Sequence, residues 1–475
     1  MTYVLPDLFS HGMLIGVIHV ILGGAVTIHV LLRRRSVRAA IAWIGVAWLS
    51  PLFGATAYYF FGINRVARRA SRLRQAINLR AAAPQGCAAP EIPENIGLIA
   101  RVVKQLTGQA LTGGNSIVAL ECGDKAYPAM LSAIRNARHS IAFASYIFRA
   151  DRVGRLFIKA LCEAQARGVH VRVLIDGIGG GYFYAPAVRA LRREGVTVAR
   201  FLHNRLPWRM PYLNMRSHKK ILVVDGRTAF TGGMNIADEN VIGRHPEHPV
   251  SDIHFRVEGP AVRHLMETFS EDWGFTTGEM LDDDVWWPEL HNAGSVWARG
   301  ISSGPDEQVG ILETVLAAAI FAANKRLRIV TPYFLPDEKL MYAIEWAALR
   351  GLSIDILIPE RSDHRVLDWA MGAHLRQLPP GISIYRVSQP FSHAKLMTVD
   401  GHWCLIGTAN WDTRSTRLNF EFNLEAYSRA TTAEIDGMID ARIAVSHRVP
   451  ASQLATQPLA LRLRDAAARL MLPYL

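Results

Sequence analysis

The chain contains the stretch HKKILVVDGRTAFTGGMN, from His218 to Asn235, and a second stretch HAKLMTVDGHWCLIGTAN, from His393 to Asn410. In both, a lysine follows the histidine by two positions, an aspartate follows it by seven, and small residues lead to a closing asparagine. Residues two apart on a strand share a face, and Asp-Gly favours a hairpin turn. Each stretch therefore predicts a β-hairpin that holds its histidine and lysine on one face.

The segments around these motifs also repeat. Two apolar strands, SIAFASYIF from Ser140 and LRIVTPYF from Leu327, are each followed by an amphipathic helix, a second strand, another helix and a short third strand. This order is typical of α/β folds, and two copies of it indicate an internal duplication. We expect an α/β fold with two homologous lobes, each a mixed sheet flanked by helices, that contribute one motif each to a single pseudo-twofold active site.

Composition limits the partners. Half of the 475 residues are apolar, which excludes a disordered chain, and the net charge of +12 comes almost wholly from arginine. Such a charge favours anionic partners, of which nucleic acid and anionic lipid surfaces are the main classes. The four cysteines are scattered without a C-x-x-C spacing, which excludes a disulfide framework.

Two uncharged runs lie near the N-terminus, from Gly12 to Leu32 and from Ala39 to Ile63, and each is long enough for a membrane-spanning helix. A pair of buried core helices is one alternative, and a signal peptide is another, although it would explain only the first run. We expect a two-helix transmembrane hairpin. More arginines follow the second run than separate the two runs, which favours a cytoplasmic catalytic region.

Four segments follow from these patterns: residues 1–64 as the transmembrane hairpin, 65–115 as a basic stretch and an Ala/Pro-rich linker, 116–290 as the first lobe and 291–475 as the second. The second lobe ends in LALRLRDAAARLMLPYL, from Leu459, a pattern that predicts an amphipathic helix. Such a helix suits a membrane surface or the flank of the lobe, and its composition favours the membrane.

The motif residues suit phosphoryl transfer. A neutral imidazole can attack phosphorus, a protonated one can release an alkoxide, and a neighbouring ammonium can neutralise the phosphoryl oxygens. Two histidines and two lysines supply these groups, so we expect no metal or other cofactor, and we interpret the histidines between Arg244 and His248 as loop residues. The turn DGIGGGYF, from Asp176, lacks the third glycine of a dinucleotide-binding loop.

With both motifs in place, the sequence resembles the phospholipase D superfamily and, within it, the bacterial cardiolipin synthases. The resemblance also rests on YIFRAD from Tyr146, SGPD from Ser303, TPYFLPD from Thr331 and NWDTRSTRLNFEFNLE from Asn410. It implies a membrane-embedded transferase of the bacterial inner membrane that acts on phosphatidylglycerol among anionic membrane lipids and not on nucleic acid. A phospholipase D that hydrolyses the lipid, a nuclease with the same motif and an inactive membrane scaffold are the alternatives, and the oligomeric state stays open.

The resemblance also implies a mechanism. His218 attacks one phosphatidylglycerol to form a phosphatidyl-histidine while His393 protonates the departing glycerol, and His393 then deprotonates a second phosphatidylglycerol to give cardiolipin. The sequence itself is symmetrical between the two histidines, and it leaves phosphatidylethanolamine or another alcohol open as the acceptor. The implied site consists of the catalytic His218, Lys220, Asp225, His393, Lys395 and Asp400, the phosphate-binding Asn235 and Asn410, and the histidine-orienting Asp252 and Glu421.

Two further expectations concern the ends of the motif hairpins. Although Asp225 and Asp400 belong to the motif, we expect them to support the turns and not to contact substrate. Gly233 occupies a position where such enzymes often carry serine, a possible phosphate donor, whereas Thr408 keeps a hydroxyl for that role in the second copy.

Overall fold

The computed structural model describes residues 5–32, 37–59, 92–204, 215–305, 308–450 and 457–470. The chain divides into an N-terminal helical unit and a larger α/β unit that contains both motifs. The predicted basic stretch, most of the linker and Asp306 of SGPD fall outside the described residues.

The N-terminal unit consists of α1 (Leu5–Leu31), α2 (Val37–Leu49) and α3 (Pro51–Ala57). The helices pack through a small cluster of buried side chains: Val26, Val30, Ala47 and Tyr58. The Trp48 indole donates a hydrogen bond to the Thr27 hydroxyl at 3.0 Å, and Gly23 leaves room for the Trp48 ring. In the described residues α1 therefore packs against both α2 and α3.

One helix among the described residues is long and apolar enough to cross a membrane, at Met13–Leu31. The second run, predicted as one span from Ala39 to Ile63, is interrupted where α2 ends and α3 begins. Pro51 cannot donate a helical hydrogen bond and disfavours helical backbone in the preceding residue, and Ser50 accordingly has a φ of −148°. The second apolar run thus forms two shorter helices in place of the single predicted one, and its predicted end lies beyond the described residues.

The larger unit begins with α4 (Glu94–Thr107) and continues into the first lobe. The elements of this lobe are β1 (Thr112–Glu121), α5 (Cys122–Asn136), β2 (Ser140–Ser145), α6 (Arg152–Ala166), β3 (His170–Asp176), α7 (Pro186–Arg193), β4 (Thr197–Phe201), β5 (Arg216–Ser217), β6 (Ile221–Val224), β7 (Thr228–Gly232), β8 (Val250–Ser251), β9 (Ile253–Glu258) and α8 (Val262–Thr277).

The second lobe repeats this order. Its elements are β10 (Val296–Ser303), α9 (Ile311–Ala322), β11 (Arg326–Val330), β12 (Phe334–Leu335), α10 (Glu338–Leu349), β13 (Ser353–Pro359), α11 (Arg365–Leu375), β14 (Ser383–Val387), β15 (Phe391–Ser392), β16 (Leu396–Val399), β17 (Trp403–Gly407), β18 (Trp411–Asp412), α12 (Thr413–Arg417), β19 (Asn419–Tyr427), α13 (Arg429–Ala444), β20 (Ser446–Val449) and α14 (Leu459–Leu470). The repeated strands and helices predicted from the sequence are present in both lobes.

The two lobes share one mixed sheet. Its strand order is β20-β14-β13-β11-β16-β17-β19-β10-β1-β9-β7-β6-β2-β3-β4, and the lobes meet where β1 pairs antiparallel with β10. Three strands run parallel in each lobe, β2, β3 and β4 in the first and β11, β13 and β14 in the second, whereas the motif hairpins are antiparallel. The predicted mixed sheet flanked by helices is confirmed, and the repeat alone does not predict that it runs continuously through both lobes.

Helix α4 differs from the linker predicted for residues 65–115. Its apolar residues Ile96, Ile99 and Val103 are buried in the core of the second lobe, where α4 packs on α9. Their spacing places all three on one face of the helix. Residues 94–115 are therefore structured, and the chain contacts the second lobe before it begins the first.

The C-terminal helix α14 packs on α11 of the second lobe. Asp465, the one acidic residue of α14, is buried and pairs with Arg376 at 2.9 Å. The guanidinium of Arg464 lies over the ring of Trp369, while Leu463 on the outer side is 62% exposed. The structure shows α14 on the flank of the second lobe, one of the two expected positions, and the contact of its outer face with a membrane stays a prediction.

Candidate active site

Each motif forms the hairpin that the sequence predicts. β6 pairs antiparallel with β7, and β16 pairs antiparallel with β17, around turns at Asp225 and Asp400. Both aspartates have left-handed backbone, with φ of 51° and 52°, which Asp adopts more readily than most residues. One detail differs from the expectation: His218 and Lys220 precede β6, so they lie at the open end of the hairpin and not within its strand.

Short strands are exchanged between the lobes just before each histidine. β5 leads to His218 and pairs parallel with the start of β19, so that the His218 backbone N–H donates to the Phe420 carbonyl at 2.9 Å. β15 leads to His393 and pairs in the same way with β8, so that the His393 N–H donates to the Ser251 carbonyl at 2.7 Å. Each histidine is therefore anchored to the opposite lobe.

This exchange places each histidine beside a carboxylate of the other lobe. His218 Nδ1 lies 3.0 Å from Glu421 Oε2, and His393 Nδ1 lies 2.8 Å from Asp252 Oδ2. Both carboxylates are fully buried. A ring that donates from Nδ1 to a carboxylate has a fixed tautomer, and its Nε2 remains as the nitrogen that can react. The expected orienting role of Asp252 and Glu421 fits this geometry, although the sequence does not indicate that the pairs cross.

Burial favours the neutral form of both imidazoles. It lowers the pKa of His218 to about 4, and burial together with the charge of Lys395 lowers the pKa of His393 as well. Burial acts to raise the pKa of Glu421 and Asp252, but the neighbouring histidine and lysine groups outweigh it and hold the pKa of each carboxyl below its ordinary value. A neutral imidazole beside an ionised carboxylate can serve as a nucleophile or a general base.

The motif lysines are buried beside the histidines. Lys220 Nζ donates to the His218 carbonyl at 2.8 Å, and Lys395 Nζ lies 2.8 Å from His393 Nδ1 and also donates to the His393 carbonyl. Burial lowers the pKa of Lys220 to about 7 and that of Lys395 to about 8. Two buried amines at one site favour an anionic ligand, because a bound phosphate offsets the cost of burying their charges.

The motif aspartates are engaged with the backbone. The Asp225 carboxylate accepts hydrogen bonds from three successive N–H groups, those of Arg138, His139 and Ser140. The Asp400 carboxylate accepts the corresponding bonds in the second lobe, from Asn324, Lys325 and Arg326. Each aspartate therefore fastens its turn to the start of β2 or β11. This geometry fits the expected support of the turns and does not support grouping the two aspartates with the catalytic residues.

Gly233 and Thr408 occupy matching positions after the two hairpins. The Thr408 hydroxyl donates to Glu421 Oε2 at 2.6 Å and so steadies the carboxylate behind His218. A Cβ at position 233 would lie 2.3 Å from Asp252 Oδ2, so the glycine leaves the space that this carboxylate occupies. The buried contact with Glu421 contradicts the interpretation of the Thr408 hydroxyl as a phosphate donor.

Both histidines line one open cleft of about 1640 Å³ between the lobes, and Asn235 and Asn410 line it beside them. Drug-sized ligands occupy pockets of roughly 300–1,000 Å³, so this cleft has room for more than one small headgroup. The fold thus brings the two motifs to a single site.

The family described as "Cardiolipin synthase, PLD-like domain" matches residues 130–273 and 316–443, one match in each lobe. The chain belongs to this phospholipase D-like family. The cardiolipin synthase of a Geobacillus strain is 32% identical over 459 residues, which cover 94% of this chain and 90% of the relative. Cardiolipin synthase A of Pseudomonas fluorescens is 32% identical over 466 residues, which cover 96% of each chain.

Among solved structures, the phosphatidylserine synthase of Haemophilus influenzae resembles the phospholipase D-like chain in fold. The match has a TM-score of 0.61 at 15% identity and covers 79% of this chain and 100% of the other. At this identity the likeness supports the fold alone.

The sequence analysis gives no role to Tyr146 and Arg414, two further polar side chains that line the cleft of this phospholipase D-like protein. The Tyr146 ring meets the His218 ring edge to face, with centroids 5.1 Å apart. Arg216 and Arg414 come from different lobes and both lie close enough to Tyr146 for their charges to act on its hydroxyl. Arg216 precedes His218 by two positions and ends an arginine-rich stretch, from His203, that suits an anionic lipid headgroup. The sequence gives no signal that Arg414 returns to this place.

In the described part of the phospholipase D-like chain, no group of three or more His, Cys, Asp or Glu side chains is arranged to hold a metal ion. In the segment from Arg244 to His248, interpreted as a loop, Arg244 ends a short 3₁₀ turn (Ile242–Arg244), and residues 245–248 form neither helix nor strand. His245 has left-handed backbone with a φ of 52°.

Proposed function

We propose that the protein is a cardiolipin synthase that transfers a phosphatidyl group from one phosphatidylglycerol to another and releases glycerol. One observation carries this proposal: two histidines, each tied to a carboxylate of the other lobe, line one cleft, and a buried lysine lies beside each of them. The family of the chain and its relatives named cardiolipin synthase support the choice of lipid.

In the first step His218 Nε2 attacks the phosphorus of one phosphatidylglycerol, an N–P bond forms, and the P–O bond to the headgroup glycerol breaks. His393 Nε2 gives a proton to the departing oxygen. The negative charge of the bound phosphodiester favours the protonated form of His393, and Asp252 stabilises that imidazolium. The motif lysines, with Asn235 and Asn410, neutralise and hold the phosphoryl oxygens as charge develops on them.

In the second step His393 acts as the base. Its Nε2 takes the proton from the free glycerol hydroxyl of a second phosphatidylglycerol, and the hydroxyl oxygen attacks the phosphorus. The N–P bond breaks, His218 is regenerated, and its partner Glu421 compensates the positive charge that the ring carries while it is bonded to phosphorus. The product is cardiolipin, and both histidines return to their starting protonation.

The N-terminal unit supplies the membrane anchor in this proposal. α1 is apolar and largely exposed from Met13 to Leu31, as a lipid-facing helix is. α2 and α3 form the second arm of the hairpin, with a break at Pro51 that membrane helices tolerate. The larger arginine group after this arm supports a catalytic unit on the cytoplasmic side of a bacterial inner membrane.

The test uses detergent-solubilised full-length protein and phosphatidylglycerol labelled separately in its acyl chains and its headgroup glycerol. We expect cardiolipin and free glycerol in equal amounts, and neither product with His218→Ala or His393→Ala. His447→Ala, which changes an exposed histidine on β20, serves as the matched control and keeps full activity. Phosphatidic acid as the only lipid product would indicate a hydrolase, and cleavage of single-stranded DNA without lipid turnover would indicate a nuclease.

A further inference from the structure

The two lobes differ at the loop that follows the second strand of their parallel trio. β3 leads into DGIGGGYF, from Asp176, whereas β13 leads into ERSDHR, from Glu360. The next strand carries an arginine at the same position in both lobes, since Ile175 pairs with Arg200 and Ile358 pairs with Arg386. The pseudo-twofold symmetry therefore holds for the arginine and fails for the loop beside it.

In the first lobe this arginine, Arg200, is hydrogen-bonded to the loop. The Arg200 guanidinium donates to the carbonyls of Gly177 and Gly181, both at 2.6 Å, and to that of Tyr182 at 3.1 Å. Three hydrogen bonds to neutral carbonyls hold the glycine-rich loop against β4. The charge thus serves the local structure, and the loop itself adds no charged side chain between Gly177 and Tyr182.

In the second lobe the same region presents three arginines to the cleft: Arg361, Arg365 and Arg386. Arg361 and Arg365 are exposed, and Arg386 is half-buried. Within the described ranges, none of their guanidinium groups makes a hydrogen bond or ion pair with the protein. Guanidinium groups suit bidentate binding of phosphate, and an arrangement of three without protein partners leaves that capacity for a ligand.

Two carboxylates of this region, Asp363 and Asp368, are bound to other groups. The buried Tyr333 hydroxyl donates to Asp363, and the Ser362 backbone N–H donates to Asp368 at 3.1 Å. Burial raises the pKa of Asp368, and the charge of Arg386 offsets part of this rise. Asp368 and Arg386 form no ion pair. These bonds instead fix the shape of the loop that carries the arginines.

A row of rings places this loop on the His393 side of the cleft. The Phe391 ring lies 5.8 Å from the His393 ring and 6.5 Å from the Tyr333 ring, and Tyr333 bonds Asp363 in the loop. In the proposed function His393 activates the hydroxyl of the incoming lipid. That lipid carries its own phosphodiester three carbons from the attacking hydroxyl, so its phosphate also comes to the His393 side.

We propose that Arg361, Arg365 and Arg386 form an acceptor subsite that binds the phosphodiester of the second phosphatidylglycerol. This inference rests on the proposed function and assigns the recognition of the acceptor to one lobe. The subsite favours a hydroxyl that belongs to a phospholipid over water and over a neutral alcohol, because the phosphate anchors the hydroxyl beside His393 and orients it toward phosphorus.

The test compares two acceptors that share a glycerol hydroxyl and differ in the phosphate. Cardiolipin formation uses phosphatidylglycerol as the acceptor, whereas exchange of labelled free glycerol into phosphatidylglycerol uses an acceptor without phosphate and the same histidines. In Arg361→Gln/Arg386→Gln we expect cardiolipin formation to fall at least roughly tenfold, the effect of losing a hydrogen bond to a charged group, with glycerol exchange within about twofold of the parent. Arg448→Gln, an exposed arginine on β20, is the matched control and changes neither rate.

If the variant keeps its unfolding temperature but loses cardiolipin formation and glycerol exchange equally, the arginines act on the donor lipid or on the transfer reaction itself. That result would overturn the acceptor subsite. Unchanged cardiolipin formation would overturn it as well. If the double variant unfolds, Arg361→Gln/Arg365→Gln decides the question, because both side chains are exposed. A parent protein that makes no cardiolipin and exchanges no glycerol would contradict the proposed function itself, a result distinct from either failure of the subsite.

Discussion

Glu421 lies 3.0 Å from Nδ1 of His218, a residue 203 positions earlier in the chain and in the other lobe. The reciprocal pair joins His393 to Asp252 across 141 positions. Neither histidine is oriented by a carboxylate of its own lobe. The interface between the lobes therefore controls the protonation and orientation of both rings, and changes at the carboxylates should affect chemistry more than stability.

Glu421→Gln should lower the rate of cardiolipin formation by roughly 10²–10⁴-fold, because an amide neither fixes the His218 tautomer nor compensates the charge on the ring. The initial rate with labelled phosphatidylglycerol measures this effect, and the unfolding temperature shows whether the fold is kept. Glu194→Gln, at an exposed glutamate, is the control. A rate for Glu421→Gln within threefold of the parent would remove the orienting role.

Gly233→Ala should lower transfer by about 10²-fold, the cost of a small misplacement of a catalytic group. The new methyl group would lie 2.3 Å from Asp252 Oδ2 and push this carboxylate away from His393. Gly437→Ala in α13 adds the same methyl group where nothing lies within 4 Å and should leave the rate unchanged. Full activity of Gly233→Ala would mean that Asp252 can move without affecting His393.

Asp225→Ala should destabilise the protein by about 2–3 kcal/mol, because three backbone N–H groups lose a charged acceptor. The activity per folded molecule should stay within about twofold of the parent, because the Asp225 carboxylate is hydrogen-bonded to backbone N–H groups and does not line the cleft. Thermal unfolding and transfer rates on the same preparations separate the two effects. Asp284→Ala, at an exposed aspartate, is the control for the loss of one negative charge. A large loss of rate in Asp225→Ala without destabilisation would indicate that Asp225 takes part in the reaction.

The rate at limiting phosphatidylglycerol should fall as the pH rises through about 7 to 8. Burial lowers the pKa of Lys220 to about 7 and of Lys395 to about 8, so above these values the empty site loses the charges that attract phosphate. On the acid side His218 becomes protonated only near its pKa of about 4. A kcat/KM profile checks both limbs, and a rate that still rises above pH 9 would contradict the assignment.

The free energy of unfolding provides the control for this pH profile. As the pH rises, the two lysines should lower the rate but make folding more favourable. In the unfolded chain they keep their protons up to a pKa of about 10.4. Between the folded and unfolded pKa values the unfolded state binds more protons, so their contribution to folding becomes more favourable as the pH rises. The predicted fall in rate above pH 7 therefore does not come from unfolding caused by these groups.

The repeat and the two motifs suffice to predict the lobes and hairpins, because strand alternation and Asp-Gly turns depend on neighbouring residues. Each histidine meets a carboxylate of the other lobe because β5 pairs with β19 and β15 pairs with β8. β5 and β15 have only two residues each, and their partner strands lie far away in the sequence. No local pattern reports such a pairing. Similarly, the apolar residues of α4 have the spacing of an amphipathic helix, but this spacing does not tell which lobe buries them. Only the tertiary structure shows that it is the second lobe.

The second apolar run shows a different limit. Pro51 was visible in the sequence, and membrane helices tolerate proline, so length and composition favoured one continuous helix. The structure separates α2 from α3 at this residue, since the backbone before a proline avoids the helical region. The arginines of the second lobe were likewise visible as charges, but only the fold shows that Arg386 faces the cleft while Arg200 is bound by its own loop.

The crossed pairing also has a consequence for the time at which the protein becomes active. A ribosome that has added His218 must add 203 more residues before Glu421 exists, which takes roughly 10–40 s at 5–20 residues per second. During that interval the nascent first lobe has the His218 ring without the carboxylate that lies beside it in the folded protein. A chain cut short by a premature stop before Glu421 would lack this carboxylate altogether, so under the proposed function lipid transfer begins only when synthesis is nearly complete.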